Sequence, residues 1–209
     1  MNAEFPIDEV DLCALVGSRL CHDLVSPVGA IGNGVELLAM APAGAGEAGP
    51  PAELDLVRES VENAQARLRF FRIAFGQSGG EQEVGRAEVL GILTELYRNG
   101  RLKVHWAVEE NRPRAEVKLA FLLLQCLESA MPYGGQVHIG PMKGGWRVQG
   151  DAEKLRLEPM LWESLASLTV PAALRPSQVH FALVPKALRG LDMGLSVTTS
   201  ETRVLFAVS

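Results

Sequence analysis

Apolar residues recur at steps of three and four along the first part of the chain. The pattern continues from about Asp8 to Met40 and predicts a single helix with one apolar seam. The seam positions are Ala14, Gly17, Cys21, Leu24, Val28, Ile31, Val35 and Leu38. At about 100° per residue, the side chain of His22 points roughly 100° or more away from the nearest seam positions. We therefore expect His22 to face solvent.

A second helix of the same kind is predicted beyond a loop. Residues 41–51 are rich in glycine, proline and alanine, a composition typical of a connection between helices. From Leu54 to Phe75 apolar residues again follow steps of three and four. Two such helices form an antiparallel hairpin whose apolar stripe stays partly exposed in a single chain. We therefore expect a homodimer in which two hairpins form a four-helix bundle.

The remainder of the chain alternates between helical and strand patterns. Helices are predicted at residues 86–97, 115–131, 158–169 and 178–189. Strands are predicted at residues 102–108, in a hairpin over 134–152 and in two segments of 195–209. The order predicts an α+β protein with a helical hairpin domain over residues 1–78. An α/β sandwich, with helices on one face of its sheet, is predicted over residues 79–209.

Composition excludes several classes of protein. The 209 residues carry a net charge of -5, which argues against a nucleic-acid surface. No apolar run approaches the roughly 20 residues of a membrane span, and the first residues are acidic where a signal peptide is basic. A cytoplasmic location is therefore expected. The three cysteines form no Cys-x-x-Cys pair, so neither a disulfide framework nor a metal site is predicted.

A short segment of the first helix carries the residues best suited to chemistry. It reads Cys21-His22-Asp23-Leu24-Val25-Ser26-Pro27-Val28. A proline inside a helix costs about 3 kcal/mol, so its position beside a histidine favours a functional role. A neutral imidazole can attack a phosphoryl group through one nitrogen near pH 7. Asp23 can accept a hydrogen bond from the other nitrogen and stabilise the ring as it becomes cationic.

Small or polar residues share the predicted face of His22. Ser18, Ser26, Gly29 and Asn33 lie there, so a partner's surface can come close to the ring. We assign Ser18, Gly29 and Asn33 to partner docking. Ser26 either supports the site or bonds back to a carbonyl of its own helix.

Two further residues are candidates for a supporting role. Pro27 leaves the carbonyl of Asp23 without its helical donor and can bend the helix to present His22. Arg19 precedes the histidine by one turn and can contact phosphoryl oxygens. A solvated charge is the ordinary alternative for Arg19.

The octet resembles the H-box of two-component histidine kinases, in which His, an acid, Leu, a variable residue, Thr or Ser, Pro and an apolar residue follow in this order. The resemblance implies that His22 takes the phosphoryl group on the ring nitrogen farther from the backbone. The order of the later helices and strands is similar to the ATP-binding domain of the same kinases.

Residues that bind nucleotide in those kinases are replaced here. Gln125 and Ser129 stand where the family has asparagines, and Asp151 keeps the acid of an Asp-x-Gly-x-Gly motif without its glycines. Residues 170–176 replace a glycine-rich loop. Without these groups nothing cradles a triphosphate. The resemblance therefore implies a degenerate ATP-binding domain with no cofactor. It also implies that the partner is a receiver domain, and magnesium is expected on that partner.

The combination resembles the ChpT-type histidine phosphotransferases of the alphaproteobacteria, most specifically in residues 18–38. That resemblance implies a phosphorelay through phospho-His22. The phosphoryl group would pass from the receiver domain of a CckA-type hybrid kinase to CtrA- and CpdR-type response regulators of the cell cycle. The chain would act as a covalent phosphohistidine carrier rather than as an ATP-dependent kinase.

Two other function classes stay open at this point. One is an active histidine kinase or ATPase, and the other is a binding scaffold or phosphatase in which His22 is never phosphorylated. The other histidines, His105, His138 and His180, have no comparable context and are expected on the surface of a strand or helix.

Overall fold

The computed structural model describes residues 9–40, 52–77, 82–171 and 173–209. Its α-helices are α1 (Glu9–Met40), α2 (Ala52–Ala74), α3 (Arg86–Tyr97), α4 (Arg114–Ala130), α5 (Pro159–Ala166) and α6 (Val179–Leu191), and a 3₁₀ helix spans Pro176–Gln178. Its strands are β1 (Glu83–Val84), β2 (Leu102–Trp106), β3 (Arg112–Pro113), β4 (Gly135–Met142), β5 (Gly145–Asp151), β6 (Leu195–Thr199) and β7 (Arg203–Val208). Helices and sheet together confirm the predicted α+β class.

Helices α1 and α2 pack against each other as an antiparallel hairpin. Pro27 lies inside α1 and is buried, so the helix continues through the proline as its periodicity predicts. Further along, a Cβ atom at Gly34 would overlap the side chain of Val57 on α2. The glycine therefore permits the two helices to approach closely. The predicted loop at residues 41–51 lies outside the described residues.

Five strands form the main sheet, in the order β2-β4-β5-β7-β6. Strands β2 and β4 are parallel, and the other neighbours are antiparallel. Alternate side chains such as Val137, Val148 and Phe206 are fully buried on one face. The opposite face is polar, and there His105 and His138 stack with ring centroids 4.7 Å apart. The sheet therefore buries a single face, against the helices.

Helix α4 lies at the centre of the helical layer. Every residue from Leu119 to Leu127 is buried, because α4 contacts the sheet, α2 and α6 on different sides. A helix that is apolar all round requires such covering. Phe70 of α2 stacks on Phe121 of α4 with centroids 4.5 Å apart. The C-terminal half of α2 is thereby part of the main core, together with Phe71, Ile73 and Ala74.

The N-terminal half of α1 is fixed to the C-terminal part of the chain by a smaller apolar cluster. Leu12 of α1 packs there against Val179 and Ala182 of α6, and each of the three is at least nine-tenths buried. The other half of the hairpin carries most of the exposed large apolar side chains, including Val28, Val35 and Leu54. Among the described residues, only one end of the hairpin is thus covered.

Most predicted elements agree with the structure within a few residues, and three differ. The strand predicted to reach residue 108 ends at Trp106, and α5 is shorter than the predicted helix at both ends. The two-residue ladder of β1 with β3 was not predicted, because segments this short carry no periodicity. The predicted boundary after residue 78 lies outside the described residues, so the division into two domains stays a prediction. No described helix is long and apolar enough to cross a membrane.

Candidate functional site

His22 lies near the middle of α1 with its side chain 85% exposed. It borders a groove of about 420 Å³ between α1 and α2. The groove is lined by His22, Asp23, Ser26, Pro27 and Ala30 from α1, and by Leu56, Glu59, Ser60, Asn63 and Arg67 from α2. The exposed ring, predicted from the helical periodicity, is open to a partner molecule.

Asp23 holds the inner nitrogen of the His22 ring. The two residues are adjacent in sequence, and Nδ1 of His22 lies 3.0 Å from Oδ1 of Asp23. The Asp23 side chain is only 9% exposed, so its carboxylate is screened from water while the imidazole is not. In the tautomer that donates Nδ1–H to Asp23, the lone pair is on Nε2. The available nucleophile is therefore the nitrogen farther from the backbone.

Arg19 contacts the other oxygen of the same carboxylate. Its Nε lies 2.7 Å from Oδ2 of Asp23, and its Nη1 donates a hydrogen bond of 3.0 Å to the carbonyl oxygen of Ser177. The Arg19 side chain is 18% exposed. A solvated charge, the ordinary alternative for this residue, is not what the structure shows. The guanidinium is engaged by Asp23 and Ser177, and a direct contact with phosphoryl oxygens stays a prediction.

The other predicted site residues fall into two groups. Ser26 and Pro27 line the groove beside the histidine. Ser18, Gly29 and Asn33 are exposed on α1 but do not line that groove. A Cβ atom at Gly29 would meet nothing within 4 Å among the described residues, so the packing of this chain does not require glycine there. The assignment of these three residues to docking stays a prediction.

The sequence predicts that a receiver's contact surface extends over the second helix, with Arg67 or Arg69 as candidates there, but it did not assign Ser60 and Asn63 to the groove. Ser60, Asn63 and Arg67 follow steps of three and four, which places them on one side of α2. Within this stripe Nε of Arg67 donates a 2.9 Å hydrogen bond to Oδ1 of Asn63. The polar stripe beside the apolar seam was the signal, but only the antiparallel pairing of the helices shows that it faces His22.

A second, smaller polar pocket lies on the inner side of Asp23. Arg19, Arg67 and Glu128 line it together with Asp23. Glu128 is exposed as a residue, but the helices crowding its carboxyl group reduce its hydration and raise its pKa, while the charges of Arg19 and Arg67 oppose the rise. Charged groups of α1, α2 and α4 therefore meet directly behind the acid that holds His22.

Comparison with known proteins identifies the family. The family described as histidine phosphotransferase C-terminal domain matches residues 86–203. The protein phosphotransferase ChpT of Brucella abortus (strain 2308) is 37% identical over 211 residues, which cover 96% of this chain and 97% of the relative. The chain belongs to the histidine phosphotransferase family. A solved bacterial phosphotransferase matches this histidine phosphotransferase over 100% of both chains, with 29% identity and a TM-score of 0.75.

The residues that the resemblance to histidine kinases aligns with nucleotide-binding positions are engaged within the protein. Ser129 Oγ donates a 3.0 Å hydrogen bond to the carbonyl of Gln125 and lies 3.2 Å from Nε2 of His180. Asp151 lies 2.6 Å from Nε of Arg203 on β7. Partial burial alone would raise the pKa of Asp151, but the hydrogen bonds from Gln149 and Arg203 outweigh it and the pKa is lowered. Asp151 therefore acts as an ion-pair partner within the sheet.

The expectation for His180 is wrong. This histidine of the phosphotransferase is 1% exposed, not a surface residue, because its position on α6 faces α4. Burial lowers the pKa of His180 from 6.5 to about 3, and the positive charge of Arg19 contributes. The two other histidines, His105 and His138, are exposed as predicted.

The buried His180 generates a prediction on stability. Between pH 6.5 and about 3 the unfolded state binds a proton at His180 that the folded state does not. The free energy of unfolding therefore falls on acidification in this window, with a contribution of up to about 1.4 kcal/mol per pH unit. We expect urea unfolding between pH 6.5 and 5 to show a shallower pH dependence for His180→Leu than for wild type. His138→Gln, at an exposed histidine, is the control, and an unchanged slope for His180→Leu would contradict the assignment.

Proposed function

We propose that this protein relays phosphoryl groups between receiver-domain aspartates through phospho-His22, without using ATP. The observation that carries the proposal is that the imidazole ring of His22 is held at one nitrogen and exposed elsewhere. Nδ1 is held by the buried carboxylate of Asp23, while the side chain as a whole is exposed beside an open groove. A histidine serving only as surface charge has no need of a screened acid at its inner nitrogen.

The chemical step balances without another reactant. The Nε2 lone pair of His22 attacks the phosphorus of an aspartyl phosphate, and a nitrogen–phosphorus bond forms as the phosphorus–oxygen bond to the aspartate breaks. The aspartate leaves as a carboxylate. The Nδ1 proton remains on the ring in its hydrogen bond to Asp23, which stabilises the cationic phosphoimidazole. The reverse step transfers the group to a second receiver and restores the neutral ring.

This chain's part in the step is positioning. Phosphoryl transfer depends on in-line placement and on neutralisation of charge on the phosphoryl oxygens. In the proposal the partner receiver supplies the aspartate and a magnesium ion, and the relay protein supplies an oriented nitrogen. Asp23 fixes the ring, and the groove of about 420 Å³ beside the ring is the proposed place for a receiver loop to approach Nε2.

Independence from ATP is supported by the contacts of the side chains that the resemblance aligns with nucleotide-binding positions. Ser129 is bonded to the carbonyl of Gln125 and lies beside the buried ring of His180. Asp151 is paired with Arg203. These side chains are committed to contacts within the fold, and a triphosphate would have to break them to be bound.

The relationship to ChpT supports a choice of partners. We propose that the donor is the receiver domain of a CckA-type hybrid histidine kinase and that the acceptors are CtrA- and CpdR-type response regulators of the cell cycle, all in the cytoplasm. The docking surface in this proposal comprises the groove and the outer face of α1. Ser18, Gly29 and Asn33 supply small or short side chains on that face. Open space around Gly29 supports close approach of a partner backbone.

We further propose that two chains associate through the uncovered half of the hairpin. Cys21, Val28 and Val35 are exposed on α1 and follow one another at seven-residue steps. On α2 the same seven-residue steps join Leu54, Val61 and Leu68. Of these three side chains, Leu54 and Leu68 are exposed. Stripes with this spacing pack together in four-helix bundles. The proposed homodimer would cover both stripes and leave two His22 rings on its outside.

The first prediction tests the relay. Wild-type protein incubated with a radiolabelled phospho-receiver should acquire label that is stable to base and labile to acid, as expected for phosphohistidine. His22→Ala should acquire none, because the nucleophile is absent. Labelled ATP offered directly should leave both proteins unlabelled. Label retained by His22→Ala would contradict the relay and favour a scaffold or another nucleophile, and labelling by ATP would favour a kinase.

A second prediction concerns the α2 side of the groove. Arg67→Glu should slow transfer by about tenfold, since a negative charge in the groove repels the incoming phosphoryl group. Arg67→Lys keeps the charge and should retain most of the rate. Arg69 is exposed on the same helix outside the groove. Rapid-quench assays should therefore give Arg69→Glu a near wild-type rate, and equal losses for Arg67→Glu and Arg69→Glu would argue against docking in the groove.

A third prediction concerns the dimer. Light scattering should give wild-type protein twice the mass of one chain. Val28→Glu combined with Val35→Glu should give a monomer, because the two side chains are 58% and 53% exposed in the single chain and would be buried in the bundle. Leu37 is 51% exposed but points about 200° around the helix from Val35. Leu37→Glu should therefore remain dimeric, and a monomeric wild type at micromolar concentration would refute the association.

A further inference from the structure

Arg19 joins the phosphoryl-accepting helix to the C-terminal part of the chain. The residue belongs to α1, yet its Nη1 donates to the backbone carbonyl of Ser177, which is 158 residues away in sequence. Its Nε contacts Oδ2 of Asp23, and Oδ1 of Asp23 contacts Nδ1 of His22. Four groups are thus linked in series, from a carbonyl of the C-terminal domain to the reactive ring.

The Ser177 carbonyl, which accepts the hydrogen bond from Arg19, is itself held in a fixed position. Ser177 is the middle residue of the 3₁₀ helix Pro176–Gln178. The Oε1 of Gln178 accepts a 3.1 Å hydrogen bond from the backbone N–H of Arg175, and its Nε2 donates a 2.9 Å bond to Glu158. Arg175 in turn lies 3.0 Å from the carboxylate of Glu158. A short turn held by three side chains presents the Ser177 carbonyl in one place.

Apolar packing fixes the part of α1 that carries Arg19 against α6. Leu12 lies seven residues before Arg19, on the same side of α1, and is buried against Val179 and Ala182 of α6. Val179 follows the 3₁₀ helix directly in sequence. The contact between α1 and the C-terminal part of the chain therefore extends from an apolar anchor at Leu12 to the side chain of Arg19.

We propose that Arg19 is a positioning residue through which the C-terminal domain sets the orientation of His22. The inference rests on the relay proposed above. Asp23 alone could rotate its carboxylate, since the His22 contact uses one oxygen only. The forked guanidinium of Arg19 lies against the second oxygen as an ion pair, with Nε 2.7 Å from Oδ2, while its Nη1 donates to the Ser177 carbonyl, so that Oδ1 is kept facing Nδ1. The 3₁₀ helix at the end of the segment that stands in place of a nucleotide-binding loop thereby contributes to phosphotransfer.

Transfer rates in a double-mutant cycle test this proposal. Misplacement of a reacting group by about an ångström can cost on the order of 100-fold in rate, so we expect Arg19→Ala to slow phosphorylation of His22 by about ten- to 100-fold. Arg19→Lys should recover only part of the rate, because an ammonium lacks the fork. On an Asp23→Ala background, Arg19→Ala should cost little more, since Arg19 acts through Asp23. Additive losses in the cycle would overturn the proposal.

The C-terminal end of the series is tested separately. Gln178→Ala leaves α1 unchanged but loosens the turn that carries Ser177. We expect this variant to transfer phosphoryl groups severalfold more slowly than wild type. On the Arg19→Ala background the same substitution should cause no further slowing. Arg72→Ala is the matched control. It removes another arginine ion pair between the hairpin and the C-terminal domain, 3.3 Å from Glu88, without contact to Asp23. Transfer by Gln178→Ala at the wild-type rate would overturn the role of the C-terminal domain.

A spectroscopic readout separates positioning from loss of fold. Nitrogen-15 NMR of the His22 ring should report Nδ1–H in wild type and a mixture of both tautomers in Arg19→Ala, while thermal unfolding shows that the variant is folded. An unchanged tautomer in Arg19→Ala would overturn the proposal, and if this variant does not fold, Arg19→Lys and Gln178→Ala carry the same comparison. Failure of the relay itself is distinguishable, because His22→Ala would then retain label.

Discussion

The burial of α4 on all sides is the constraint that organises this protein. A sheet covers one side of the helix, and α6 covers another. The remaining side is closed by the end of α2, where Phe70 stacks on Phe121. Each fully buried leucine or phenylalanine contributes about 1.5 to 3 kcal/mol. Because α2 closes that side of α4, the C-terminal end of α2 is part of the same core as the sheet.

The position of His22 follows from that packing. α2 is fixed by the core, and α1 is fixed by its own contact with α2 and by Leu12 against α6. His22 lies on α1 between these attachments, after Leu12 and before Gly34, whose close contact with Val57 holds α1 against α2. The imidazole is therefore held on a rigid element and remains 85% exposed. A rigid support with an open reactive group is what a protein needs if it exchanges phosphoryl groups with several partners.

Local periodicity was sufficient to predict the helices, the course of α1 through Pro27 and the exposure of His22. It was sufficient for the pairing of His22 with Asp23 as well, since adjacent residues need no tertiary information. Contacts between segments that are distant in sequence could not be predicted from local periodicity. The hydrogen bond from Arg19 to Ser177 and the burial of His180 both depend on how α6 is placed against α1 and α4. The antiparallel pairing of α1 and α2 was predicted, but the α2 residues that line the groove depend on the register of that pairing, which a one-dimensional pattern does not contain.

The uneven covering of the hairpin has a consequence for its dynamics. Amide groups near Phe70 can exchange with solvent only through global unfolding, whereas those near Val35 and Leu54 need only local separation of two helix ends. Opening of the uncovered end exposes little additional apolar surface, because Val35 and Leu54 are exposed already. His22 lies on α1 between the Leu12 cluster and the exposed end, so order at its ring depends on the core of its own chain and on any molecule that covers the far end of the hairpin.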